Sequence, residues 1–230
     1  MLSRQATENQ RKERGWLCFS VRLIKMQAVI EVPNFEFEPP QLWPVASAEP
    51  YSWIPLDGDC SDAEVGLFVS GLRSALEPTE FASPQEVVAQ IVAAEDLILC
   101  GGLRVTDTVT GAVVTPGCCA GLEDWRTWAA VLGGRSPWLG HDPTPEVEIG
   151  VEELRVWQDT GAHRRAAESV VVPRPLLPGL LNGVHRDLVA FLPLVRRWAD
   201  RIGLGDNGST LVEAIDRDFE VTAPFPIAAE

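Results

Sequence analysis

Cys118 and Cys119 stand side by side in the stretch Pro116-Gly-Cys-Cys-Ala-Gly-Leu-Glu-Asp-Trp125, and His141-Asp142 follows in a proline-rich loop. A thiol is a nucleophile only as its thiolate, and a helix N-terminus stabilises that form through its dipole and free N–H groups. Helical periodicity over residues 120–132 puts both cysteines at such a terminus. His141 could then act as general base and Asp142 as the carboxylate that orients it, if the loop folds back onto the turn. Cys118, Cys119, His141 and Asp142 are therefore the candidate catalytic residues of a cysteine-dependent enzyme. Cys118, Cys119 and His141, with Cys60 or Cys100, are also the chemical types of a zinc site. Structural zinc ligands are usually separated by two to four residues, and adjacent cysteines fit a tetrahedron awkwardly. No metal and no cofactor is read from the sequence. In the bland alternative, the Cys-Cys turn packs under Trp125 or Trp128 and does no chemistry.

A second set of groups is acidic. Glu146 and Glu148 alternate with apolar residues, as do Glu153 and its successors, so two paired strands would turn Glu146, Glu148, Glu152 and Glu153 towards solvent. Glu36 and Glu38 offer a similar pattern beside Pro39-Pro40. Glu123/Asp124, Glu152/Glu153 and Asp216/Asp218 are paired carboxylates of the kind glycosidases or two-metal hydrolases use, but nothing singles out one pair. Arg196, Arg197 and Arg201 lie near the end of a helix, where cations are favoured. His163, Arg164, Arg165 and His185 read as surface or helix-end residues.

The elements that must position these groups are legible in outline. Residues 26–32 are rich in β-formers, and residues 97–105 and 112–115 read as strands around a turn at 107–111. Cys100 falls in an apolar run and reads as a small buried hydrophobe. Gly101-Gly102 suggests a bulge or a close backbone approach. Ser61-Asp-Ala-Glu64 and Ser83-Pro-Gln-Glu86 fit the capping box that opens a helix. The first helix would bury Val65, Phe68, Val69, Leu72 and Leu76, and the second Val87, Val88, Ile91 and Val92. In the helix after the cysteines, Leu122, Trp125, Ala129 and Leu132 would share a face, ending at Gly133-Gly134. Strands are expected at 146–149, 153–157 and 170–172. Val184, Leu188, Phe191, Leu192, Val195, Ala199 and Ile202 make a long helical stripe broken by Pro193, and Thr210-Leu-Val-Glu213 would start a last helix.

An apolar fraction of 46% with 23% charged residues fits a globular protein with a real core, and 230 residues suit one domain. The five cysteines are odd in number and irregularly spaced, which points to a reducing cytoplasm and away from a secreted disulfide framework. No run approaches the roughly 18 apolar residues of a membrane span. Residues 1–25 carry a net charge of +4 and the rest −18. Such an acidic body disfavours nucleic acid and anionic membranes and favours a basic protein partner. Residues 1–25 read as a basic extension, disordered or upstream of a true start at Met26. Residues 26–221 read as one α+β domain, a mainly antiparallel sheet packed against several amphipathic helices, and 222–230 as an extended or frayed tail.

The wording of the central stretch, with Trp138-Leu-Gly-His-Asp-Pro143 after it, resembles uncharacterised bacterial proteins of about this size. The resemblance covers residues 116–143, implies a shared fold, and carries no activity and no catalytic residue. The leading expectation is a soluble, non-catalytic binding protein of the cytoplasm, of the type of an immunity protein that inhibits a basic toxin. A cysteine enzyme and a purely structural subunit remain open beside it.

Overall fold

The structure is a computed structural model that describes residues 23–34, 42–74, 83–161 and 168–225. It is an α+β fold with two antiparallel sheets. The first sheet has the order β2-β1-β3-β4, with β1 at Ile24–Glu31, β2 at Trp53–Pro55, β3 at Gly101–Asp107 and β4 at Val113–Val114. The second has the order β5-β6-β7, at Glu146–Ile149, Glu153–Trp157 and Ser169–Pro173. The helices are α1 (Asp62–Ser74), α2 (Pro84–Ala93), α3 (Leu177–Arg201) and α4 (Asn207–Phe219).

Strand β1 is the spine. It lies between β2 and β3, and Met26, Ala28, Val29 and Ile30 are all buried, so both of its faces are covered. A two-face burial requires consecutive apolar residues without alternation, which Ala28, Val29 and Ile30 supply. The strand starts at Ile24, ahead of Met26: Ile24 and Lys25 pair with Asp107 and Thr106 of β3. The fold therefore takes in residues upstream of the boundary expected at Met26. Residues 1–22, Glu36, Glu38, Cys18 and the segment 163–165 lie outside the described residues.

Helix α3 crosses β1 and touches α1 and α4. Its buried residues include Leu181, Val184, Leu188, Phe191, Val195 and Ala199, as its stripe requires, and Pro193 is accommodated inside the helix. Gly203 and Gly205 end it with φ of +79° and +58°. Helix α1 has its expected capping box: Ser61 N donates to Glu64 Oε2 at 2.7 Å, and Glu64 N donates to Ser61 Oγ at 3.3 Å. It is not amphipathic, however, because every residue from Val65 to Arg73 is buried. Gly66 and Gly71 make this possible: a Cβ there would stand 2.3 Å from Pro44 O and 2.5 Å from Leu99 Cδ1. Trp43 seals the contact by donating Nε1–H to Gly66 O at 2.8 Å and packing edge-on against Trp198 at 5.3 Å. Helix α4 begins at Asn207, earlier than expected, so Thr210 sits in its first turn and caps nothing.

The helix after the cysteines is the main departure. Leu122–Gly133 is a 3-10 helix of 12 residues. Its buried residues are Leu122, Trp125, Trp128 and Val131, a spacing of three that matches the three residues per turn of this helix. The 3.6-residue face with Ala129 and Leu132 does not form. Trp125 Nε1–H donates to Phe219 O at 2.8 Å, fixing this helix to the end of α4.

The two sheets meet edge to edge. Thr115 N donates to Gln158 Oε1 at 2.7 Å, and Gln158 Nε2 returns a bond to Thr115 O at 3.2 Å. One buried apolar cluster runs through both sheets and all four α-helices. Among the described residues no helix is long and apolar enough to cross a membrane.

The C-terminal segment, read from sequence as extended or frayed, is held in place over residues 222–225. Arg126 donates to Glu220 O (2.8 Å), Ala223 O (3.3 Å) and Pro224 O (2.6 Å), and its guanidinium lies over the rings of Trp125 and Phe225. His185, read from sequence as a surface or helix-end residue, donates Nε2–H to Val221 O at 2.9 Å and stacks on Trp125.

Candidate functional site

The loop carrying His141 does fold back onto the cysteine turn. Cys118 N donates to His141 O at 2.6 Å, His141 N donates to Cys118 O at 3.0 Å, and Gly117 N donates to Leu139 O at 2.8 Å. These bonds make a two-segment ladder outside either sheet. Two glycines allow the backbones to touch: a Cβ on Gly117 would lie 2.3 Å from Pro143 O, and one on Gly140 would lie 2.6 Å from Gly117 C and O. Gly140 also needs its φ of +98°, a region L side chains rarely enter.

This ladder presents Cys118, Cys119 and His141 together at the surface, with their ligating atoms all within 4.8 Å of one another. The two sulfurs are 3.5 Å apart. Neighbouring side chains of an extended chain point to opposite faces. Cys119 escapes this alternation through a left-handed backbone, φ +62°, at a cost of about 1 kcal/mol for a residue with a Cβ. His141 Nδ1 lies 3.2 Å from Asp142 Oδ2, so the four residues singled out as catalytic candidates are adjacent in space.

The 3-10 helix begins only at Leu122, with Gly121 as its N-cap, so both cysteines precede its first turn. The Cys118 pKa is raised above the usual thiol value, first by its hydrogen bond to Cys119 and then by that neighbour's charge. The turn does not pack under the tryptophans either, since Trp125 and Trp128 are buried while both thiols are exposed.

Cys100 is exposed as well, contrary to its reading as a buried hydrophobe. It forms an isolated bridge with Gly121 just ahead of β3, while Leu99 N donates to Glu123 Oε2 at 3.2 Å. Leu97–Leu99 thus leave the strand expected from residue 97 because side chains take their N–H groups, Asp218 Oδ2 accepting from Leu97 N at 3.2 Å. Although the residue is exposed, the protein around its sulfur removes part of its solvent and raises the Cys100 pKa, and Glu31, Cys119 and Glu123 add to the effect. Cys60 stands apart in the loop before α1, its thiol donating to Pro55 O at 3.4 Å and its pKa pushed up to about 11 by burial.

Sequence reasoning missed a groove of about 340 Å³ beside Cys100, lined by Glu31, Val32, Tyr51, Ile98 and Leu99 among others. The burial of Glu31 raises its carboxyl pKa. Neither Cys118, Cys119 nor His141 lines this groove. No local signal foretold it, because its walls come from four separate segments.

The acidic candidates lie on one hairpin. Glu146, Glu148, Glu152 and Glu153 are all exposed, with Val147, Leu154 and Val156 buried beneath them. Trp157 Nε1–H donates to Glu148 Oε2 at 2.9 Å, and Arg155 lies 3.9 Å from Glu153 and over the Trp157 ring. The outer face is thus acidic at its rim with one arginine at its centre. Val151, at the hairpin tip, is 84% exposed. Arg174 braces that tip, donating to Gly150 O at 3.3 Å and Leu132 O at 3.2 Å.

Comparison of the chain with protein-family models, curated proteins and solved structures finds no match.

Proposed function

We propose that the protein is a non-catalytic binding protein that docks a basic protein partner through the β5–β6 hairpin, in the manner of an immunity-type inhibitor. The observation that carries this reading is the braced hairpin tip, where an 84% exposed Val151 is flanked by exposed Glu148, Glu152 and Glu153. An apolar contact inside a charged rim suits a protein interface, since the apolar centre loses water and the rim selects the partner. The net charge of −18 outside residues 1–25 adds long-range attraction for a basic surface. The cysteine-enzyme alternative has its four residues adjacent, with His141 beside the thiols, but the hydrogen bond between the two thiols raises the Cys118 pKa.

The test is association of the full chain with the product of the adjacent gene, followed at low and high salt. Wild-type association should slow as salt rises. Replacing Glu146, Glu148, Glu152 and Glu153 by lysine should slow it at low salt by at least about tenfold, with the two proteins converging at high salt. Absence of binding removes the immunity-type reading. Binding that ignores both salt and the four substitutions moves the interface away from this hairpin.

A further inference from the structure

The cluster of Cys118, Cys119 and His141 has no part in the proposed docking surface, yet the fold assembles it with some care. Two backbone segments are brought into contact by Gly117 and Gly140, and Cys119 is held left-handed so that its sulfur lies beside that of Cys118. Among the described residues with positive φ and a side chain, two of four, Cys119 and Asp142, belong to this cluster. Backbone kept in sparsely populated conformations often marks a functional site.

Distances decide between the uses open to the pair of sulfurs. A disulfide needs them at about 2.05 Å. Two thiolates on one tetrahedral zinc, each with a bond of about 2.3 Å, stand about 3.8 Å apart. The observed 3.5 Å is close to the second value. An imidazole nitrogen bound at about 2.1 Å would stand about 3.6 Å from each sulfur. With all ligating atoms already within 4.8 Å on exposed side chains, rotamer adjustment of about 1 Å closes the set. Asp142 supplies the outer partner that metal-bound histidines commonly have: its carboxylate 3.2 Å from Nδ1 holds the proton there and leaves the Nε2 lone pair to the metal.

We propose that Cys118 Sγ, Cys119 Sγ and His141 Nε2 bind one Zn²⁺ ion, with the fourth coordination position open at the protein surface. Each thiol gives up its proton to the solvent on binding, and the ion ties the cysteine turn to the His141 loop. Adjacency of the cysteines, which argues against such a site on sequence spacing alone, is overcome by the left-handed Cys119 backbone.

The test uses Co²⁺ as a spectroscopic stand-in with the reduced full chain. One equivalent should give tetrahedral visible bands and thiolate charge-transfer absorption, both abolished by Zn²⁺. The Cys18→Ser/Cys60→Ser/Cys100→Ser variant should bind as wild type. Cys118→Ser and Cys119→Ser should each halve the charge-transfer intensity, and His141→Ala should shift the visible bands. Asp142→Asn, which changes only the outer partner, should weaken binding by about 10–100-fold. As a readout without substitution, Zn²⁺ should protect Cys118 and Cys119, but not Cys100, from alkylation in the wild-type protein. No Co²⁺ bands in the wild type, bands surviving loss of both Cys118 and Cys119, or no protection by Zn²⁺ would each overturn the proposal.

Discussion

At the scale of single residues, the paired thiols control each other. The hydrogen bond between the Cys118 and Cys119 sulfurs and the charge the neighbour would carry both raise the Cys118 pKa. A raised pKa means less thiolate at neutral pH, so metal-free Cys118 should alkylate at pH 7 no faster than an ordinary cysteine. Its rate should keep climbing above the normal thiol range. Cys119→Ala removes both causes and should speed labelling of Cys118 near neutrality, as mass spectrometry of the labelled peptide would report. Fast labelling of wild-type Cys118 at pH 7 would restore the nucleophile reading. The residue types of this site were legible from Cys118, Cys119, His141 and Asp142 alone. Their protonation behaviour was not, because it turns on a sulfur–sulfur distance that a left-handed Cys119 sets.

At the scale of elements, the 3-10 helix and the C-terminal segment stabilise one another through Arg126. Its guanidinium satisfies three carbonyls between Glu220 and Pro224 and covers the Trp125 and Phe225 rings. Arg126→Ala should cost about 2 kcal/mol, given about 1.5–3 kcal/mol for a hydrogen bond to a charged group and a discount for partial exposure. Hydrogen exchange should accelerate at residues 220–225 before anywhere in β1. Unchanged exchange there would mean that the Trp125 and Phe225 stack suffices. Capping boxes announced α1 and α2 because both partners lie within one turn, Ser61 with Glu64 and Ser83 with Glu86. The 3-10 geometry could not be announced, since the helix that buries Trp125, Trp128 and Val131 packs against β1, β3, α3 and α4, which are distant in sequence.

At the scale of the whole molecule, the two sheets share one core and a Thr115–Gln158 seam. Residues 23–225 should therefore unfold in a single transition. Tryptophan fluorescence and far-ultraviolet circular dichroism in urea should give one midpoint. Trp157 sits in the second sheet and Trp43 against α1 and α3, so two midpoints would show the sheets to be separate units. The strong acidity of the body does not alter this expectation, because net charge governs association and solubility more than fold.

What the sequence determined by itself was local. Period-two alternation placed β5 and β6 with Glu146, Glu148 and Glu153 outward, and the β-formers of residues 26–32 marked a strand. These patterns are enforced by backbone geometry within a few residues. Tertiary structure alone decided that the His141 loop meets the cysteine turn, that Cys100 is exposed, and that α1 is buried all round. Each depends on two distant backbones approaching closely, at Gly117 and Gly140 in the first case and at Gly66 and Gly71 in the last. A glycine permits such an approach without naming the segment that makes it.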